Sequence, residues 1–183
     1  VSAGALRVAG AAVRPGATTA DIDKAVYDYI VAHGGKPNFK GYGGFPGSAC
    51  VSLNDTVIHG IPTGDIILQE GDIVSVDTGA IVDGYHGDNA YTFPVGQVSE
   101  TAQRLMAVTK ASLYEGIKAS LAGNRIGDIG HAVQSYVEKE GFSVVRQFVG
   151  HGVGKARQDA PLHPHLGRPG HSPRPAPPTT LAA

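Results

Sequence analysis

In GDIVSVDTGAIVDGYHGDNAYTFPVG, residues 71–96, an Asp-Gly pair at 83–84 separates two extended stretches. Asp-Gly readily supplies the two left-handed backbone positions of a tight turn between antiparallel strands, so the segment is predicted to form a β-hairpin. A two-residue turn fixes the register. Val82 then faces Tyr85, Asp77 faces Ala90 and Asp88 faces Gly79. Side chains alternate between faces along a strand, so Asp77 and Asp88 share a face as diagonal neighbours, with Cα atoms about 7–8 Å apart.

Two carboxylates converging from that spacing either sit at solvated strand ends, bonded to local backbone, or are buried and require a cation. A pair of divalent ions about 3.5–4 Å apart, bridged by a carboxylate, is one stable arrangement. Two histidines bear on the choice. His59 lies in IHGIP, and His151 in GHGVG, where flanking glycines leave room for a ligand or substrate to approach the backbone. Imidazole with carboxylates suits Zn, Mn, Fe(II) or Co, and is neither a thiolate site nor an all-oxygen calcium cage. A lone histidine is otherwise most simply a hydrogen-bonded structural residue, and that reading stays open from spacing alone.

Composition narrows the class. A chain of 183 residues with 42% hydrophobic residues can bury one core. Its net charge of −1 gives no electrostatic signature of nucleic-acid or membrane-surface binding. No apolar run approaches the roughly 18–20 residues of a membrane span, and no basic-then-apolar leader is visible. The single cysteine, Cys50, forms no internal disulfide and fits a reducing compartment.

Around the hairpin, residues 1–13 read as a helix. Thr18 or Thr19 caps a second helix that buries Ile22, Val26, Tyr29 and Ile30 and stops at Gly34-Gly35. A glycine-rich aromatic loop runs into a strand at 49–53. Ser99 caps a long helix to about Leu121, with Ala102, Met106, Thr109, Leu113 and Ile117 on one face. Another helix covers about Asp128 to Glu140, and FSVVRQFVGHGVG, 142–154, reads as a strand. Seven of the 12 prolines fall from Pro161 onward, where no helix or strand period is present. The chain is therefore read as a structured α+β domain over 1–155, an antiparallel sheet backed by helices, and a Pro-rich tail over 156–183, disordered or non-native.

Three segments in register, KGYGGFPGSACVSLNDTVIHGIP, GDIVSVDTGAIVDGYHGDNAYTFPVG and FVGHGVG, resemble the type I methionine aminopeptidases, metallopeptidases of the pita-bread fold. The resemblance implies that Asp77 is a terminal metal ligand, Asp88 a bridging ligand and His151 the histidine ligand of a two-metal centre. It implies that His59 is catalytic and binds the peptide near its amino end. Phe39, Tyr42, Phe45 and Cys50 fall where such enzymes line the methionine side-chain pocket, and aromatic faces with a small sulfur-bearing residue suit a flexible thioether. The implied activity is removal of the initiator methionine from nascent polypeptides. Two divalent ions (Co, Mn, Zn or Fe(II)) are the implied cofactors. The implied setting is a cytoplasmic monomer, with the ribosome as a further candidate partner and no nucleic acid or membrane.

The pattern departs from the family after Lys155. A His-Glu pair is expected where Gln158-Asp159 stands, and two later glutamate ligands are expected where no glutamate follows Glu140. The second half of the fold is thus expected to be incomplete, through a frameshift near residue 155 or a truncated gene, and the activity impaired. The alternative is a catalytically inactive pita-bread module that binds a peptide or a ribosome-associated partner. A prolidase- or creatinase-like substrate change is a third reading, opposed by the KGYGGFPGSAC loop.

Overall fold

The computed structural model describes residues 1–175 and 180–182. They fall into two compact units: Val1–Ala102 with Lys155–Arg157, and Gln103–Gly154 with Gln158–Ala183.

The first unit is a four-stranded antiparallel sheet with two helices on one face. Helix α1 spans Ser2–Ala12 and α2 spans Thr19–Ala32. Thr18 caps α2 reciprocally: its hydroxyl accepts from Asp21 N, while Asp21 accepts from Thr18 N. The strands are β1 (Lys36–Pro37), β2 (Ala49–Leu53), β3 (Ile73–Val82) and β4 (Tyr85–Pro94). Strand β3 is central; β4 pairs along one edge, and β2 and β1 share the other. The turn is the one the sequence predicts, with Asp83 at φ 51° and Gly84 at φ 79°.

Alternation along β3 sorts the sheet into two faces. Val74, Val76 and Ala80 join Ala49 and Val51 of β2 in a core with Ala5 and Ala9 of α1 and Ile22, Val26 and Ile30 of α2. Thr78 shares that face, and its hydroxyl donates to Ser2 O. The intervening residues, Ser75, Asp77 and Gly79, turn to the face without helices. Asp23 of α2 clamps the start of β2 by accepting from Ser48 N and Ala49 N at 2.6 and 2.8 Å.

Helix α3 (Glu100–Ala119) runs from the end of the first unit's main segment into the second, which also contains α4 (Ile126–Lys139) and strands β5 (Val149–Gly152), β6 (Asp159–Pro164) and β7 (Leu181–Ala182), in the order β6-β5-β7. Ser99 Oγ accepts from Ala102 N, as the expected cap of α3. The inward face of α3 differs from expectation. Val108, Ser112 and Gly116 are buried, whereas Leu113 and Ile117 are exposed. Small residues form the contact because α4 comes close: a Cβ on Gly116 would lie 2.9 Å from Val133 Cγ2. Strand β5 is also shorter than expected, since 142–148 makes no ladder.

Beyond residue 155 the described chain forms further structure. Strand β6 pairs with β5, and His163 in it is buried. The following chain rests on the N-terminal half of α4. Added Cβ atoms on Gly127 and Gly130 would strike the carbonyls of Arg168 and Leu166, and Asp128 Oδ1 accepts from Gly170 N at 2.6 Å. Pairing and glycine-permitted contact supply an order that local propensity does not signal. Residues 176–179 and 183 of the tail lie outside the described residues. Among the described residues, no helix is long and apolar enough to cross a membrane.

Candidate metal and peptide site

The helix-free face of the first unit's sheet carries Cys50, Asp77 and Asp88. Asp77 pairs with Ala90 on one side and Cys50 on the other, and Asp88 pairs with Gly79. Cys50, Asp77 and Asp88 therefore share this face, with the two carboxylates diagonal as the hairpin register requires. Asp77 Oδ1 is buried and has no hydrogen-bond partner among the described residues. Burial pushes the Asp77 carboxyl well above the ordinary carboxylate range, helped by the charge of Asp88 and a hydrogen bond with it. The Arg157 guanidinium and the Thr78 backbone pull the other way, to smaller effect. Burial, with the Asp77 charge next, pushes the Cys50 thiol up to about 12, so it stays a neutral, apolar neighbour and not a nucleophile.

The aromatic loop meets the same face. Gly79 allows this approach: a Cβ there would sit 2.9 Å from Phe39 Cε1 and 2.8 Å from Asn38 Nδ2. Phe39 is thus buried over the residue opposite Asp88. Tyr42 begins a single 3-10 turn, Tyr42–Gly44, and is exposed, while Phe45 is half-buried. His59 stands exposed in the loop after β2, with φ 54°. The next residue clips that loop onto β2, since Gly60 N donates to Ser52 Oγ and Gly60 O accepts from Val51 N.

His151 belongs to the second unit, in β5, where it faces Ala182 of β7. Its Nδ1 lies 2.8 Å from Gly152 O. A carbonyl only accepts, so Nδ1 is the donor in this contact. The flanking glycines have a structural reason that the sequence reading misses. A Cβ on Gly150 would overlap the His163 ring, and one on Gly152 would meet Ala160 O at 2.5 Å. They admit β6 rather than open space for a ligand.

A divalent cation suits the carboxylate pair, because a buried, unpartnered Asp77 oxygen beside a second carboxylate is the electrostatic deficit that such an ion fills. Two carboxylates alone make a weak site, and among the described residues no group of three or more His, Cys, Asp or Glu forms a metal cluster.

One residue at this face escapes sequence reading. Arg157, which belongs to the first unit, places its guanidinium carbon 3.5 Å from the centroid of the Tyr42 ring and 5.8 Å from that of Phe39. An isolated arginine in GKARQDA has no spacing signal, and only the return of 155–157 to this unit reveals it.

Comparison with known proteins bears on family and fold. The family Metallopeptidase family M24 matches residues 1–181. A methionine aminopeptidase of Clostridium acetobutylicum is 52% identical over 163 residues, covering 89% of this chain and 65% of that protein. Methionine aminopeptidase 1 of Bacillus subtilis is 48% identical, over 93% of this chain and 68% of its own length. The crystal structure of a methionine aminopeptidase from Thermotoga maritima superposes with a TM-score of 0.96 at 41% identity, covering 98% of this chain and 72% of that one. The chain thus spans about two thirds of the length of the curated relatives it matches.

Proposed function

The chain belongs to metallopeptidase family M24, with methionine aminopeptidases among its relatives, and from that premise we propose that it is built to remove an N-terminal methionine from nascent polypeptides. The observation that carries this reading is the Asp77–Asp88 pair on the helix-free face, with its buried, unpartnered Asp77 oxygen and the Phe39 ring against Gly79 beside it. In this reading Asp77 and Asp88 hold divalent metal (Co, Mn, Zn or Fe(II)), and His151 keeps the ligand role that the family resemblance gives it. When bound, such ions supply Lewis acidity, lowering the pKa of a water and polarising the scissile carbonyl.

The protein's own groups do the rest. Phe39, Tyr42, Phe45 and Cys50 take the methionine side chain, for which an apolar, polarisable wall is the complement. His59, on a loop clipped to β2, donates a hydrogen bond to the peptide near its amino end and steadies charge that develops at the carbonyl. The loop's position beside β2 supports that role by bringing an imidazole to the edge of the sheet that presents Cys50 and Asp77. We place this activity in the cytoplasm, in a monomer that meets nascent chains at or near the ribosome.

The 183-residue polypeptide as it stands is impaired in this reading. It carries no glutamate beyond Glu140, and Gln158 cannot shuttle a proton as imidazole can. Incubation of a Met-Ala-Ser peptide with the chain and Mn(II) tests both parts. Slow methionine release is expected, at least about 100-fold below the B. subtilis relative. It should be absent for an Ala-first peptide and abolished by Asp88→Asn. Release without preference for methionine would overturn the substrate assignment, and turnover equal to the relative's would overturn the impairment. The scarcity of clustered donors favours one second reading, a metal-poor module that binds peptides without cleaving them. Saturable binding of Met-first peptides in EDTA, with no cleavage under any metal, would select it.

A further inference from the structure

We propose that Arg157 is a positioning residue of the methionine pocket, which stacks on Tyr42 and holds that ring in place as one of the pocket's walls. The inference rests on the reading of Phe39, Tyr42, Phe45 and Cys50 as that pocket.

The four residues are not held alike. Cys50 is buried in β2 and fixed by its pairing with β3. Phe39 is buried as well, and its neighbour Asn38 donates from N to Gly79 O at 2.9 Å, which ties it to the same sheet. Phe45 is half-buried. Tyr42 is 60% exposed, on a single 3-10 turn whose hydrogen bonds stay within the loop. Tyr42 N donates to Phe39 O at 3.0 Å, Phe45 N to Tyr42 O at 2.9 Å and Gly41 N to Phe45 O at 2.8 Å. Gly41 and Gly44 have left-handed backbone, φ 84° and 83°, and a Cβ on either would meet nothing within 4 Å. The turn is therefore built from residues that lose much backbone freedom on ordering, with no packing against them at these two points. Tyr42 is the wall that needs a restraint from outside the loop.

Arg157 supplies it. Its guanidinium carbon lies 3.5 Å from the centroid of the Tyr42 ring and 5.8 Å from that of Phe39. At the shorter distance the planar cation covers the tyrosine face, and such stacking is attractive and directional. The guanidinium thus links the exposed ring to the buried one. Arg157 Nε is buried and has no hydrogen-bond partner among the described residues, so the rings, and not a bond from that nitrogen, orient the side chain. Residues 155–157 belong to the first unit together with the loop they touch.

A wall fixed before the substrate arrives leaves less ordering to be done on binding. Without the guanidinium, the incoming side chain must itself order Tyr42. Binding then weakens, and a wall free to swing outward admits wider side chains. The effect falls on substrate binding, because Tyr42 and Arg157 act on the methionine side chain and not on the scissile bond.

Release of methionine from Met-Ala-Ser by the full chain with Mn(II) tests the proposal, in wild type, Arg157→Gln, Arg157→Lys, Tyr42→Ala and the double variant Tyr42→Ala with Arg157→Gln. Arg157→Gln is expected to raise KM about fivefold while kcat changes by less than about twofold. Its selectivity for Met-Ala-Ser over Leu-Ala-Ser should fall. Arg157→Lys keeps a cation for the ring and should recover part of the loss. Tyr42→Ala should raise KM at least as much, and the double variant should be no worse than Tyr42→Ala, because the arginine acts through that ring. Where turnover is too slow to resolve KM, the Kd of Met-Ala-Ser by isothermal titration takes its place. In EDTA, chymotrypsin should cut after Tyr42 faster in Arg157→Gln than in wild type. Arg157→Met serves the same comparison if the glutamine variant does not fold. Unchanged KM in Arg157→Gln, with KM raised in Tyr42→Ala, overturns the role of Arg157 and leaves the pocket standing, even if cleavage quickens. Unchanged KM in Tyr42→Ala as well overturns the pocket reading, and the proposal falls with it.

Discussion

The two faces of one sheet obey opposite rules. On the helix-packed face, Val74, Val76 and Ala80 are buried against α1 and α2, and Thr78 bonds to Ser2 O. Each group there finds its partner within the unit. On the other face, one residue along in each case, Ser75 meets the Thr92 hydroxyl at 2.7 Å, but Asp77 keeps an orphaned oxygen. The same ten-residue strand thus carries a self-sufficient core and a surface whose polar groups await something else. Local departures from complete packing and pairing concentrate where a fold binds or reacts, and on this strand the departure falls at Asp77.

A charge moved from one face to the other tests this contrast most severely. Val76→Asp places a carboxylate at a fully buried position with no cation or donor beside it. The expected loss is about 4 kcal/mol or more, enough to leave the chain unfolded at room temperature. A cooperative melt near the wild-type temperature, followed by circular dichroism, would break the distinction between the faces. A smaller effect is expected from Gly79→Ala. Its methyl group would meet Asn38 Nδ2 and Phe39 Cε1 inside van der Waals distance, so either the loop or the strand must shift. A loss of about 1–3 kcal/mol follows. Phe39 should also be displaced from the aspartate face, and a urea titration with protease sensitivity at residues 39–45 would register both effects.

The hairpin was legible because its signals are local. Asp83-Gly84 names the turn, and the turn names the register that puts Asp77 and Asp88 together. Helix α2 was legible for the same reason, since Thr18 and Asp21 cap it and Ile22, Val26 and Ile30 repeat at helical spacing. Other features depend on contacts distant in sequence and left no local trace. The burial of Ser112 and Gly116 in place of Leu113 and Ile117 follows from how closely α4 approaches α3. The strand β6 holds three residues of ordinary loop character, Asp159, Ala160 and Pro161, and exists because β5 offers a partner. Gly150 and Gly152 look like space left for a ligand but are required by that same pairing. Arg157 reaches the candidate site only because 155–157 rejoins the first unit, which no periodicity encodes.

The smallest of these effects has the most informative sign. Burial disfavours the ionised form of Asp77, so its carboxyl in the folded chain lies above the ordinary value of 3.8. A raised carboxyl means that the metal-free fold loses stability as pH climbs from that ordinary value through the raised one. Asp77→Asn removes the cost of binding a proton on folding and keeps a donor able to reach Asp88. In EDTA at neutral pH it should therefore stabilise the chain, by about 1 kcal/mol, or a rise in melting temperature of about 2–4 °C for a chain of this size. Below the ordinary carboxylate range the aspartate is protonated in both states, and the difference should vanish. Added Mn(II) should then reverse the order, because the wild type gains an ion that the variant cannot hold. A residue that weakens the empty protein and strengthens the loaded one is retained for what it binds. If Asp77→Asn instead destabilises in EDTA, the carboxylate is an ordinary structural group, and the two faces of the sheet differ only in solvent.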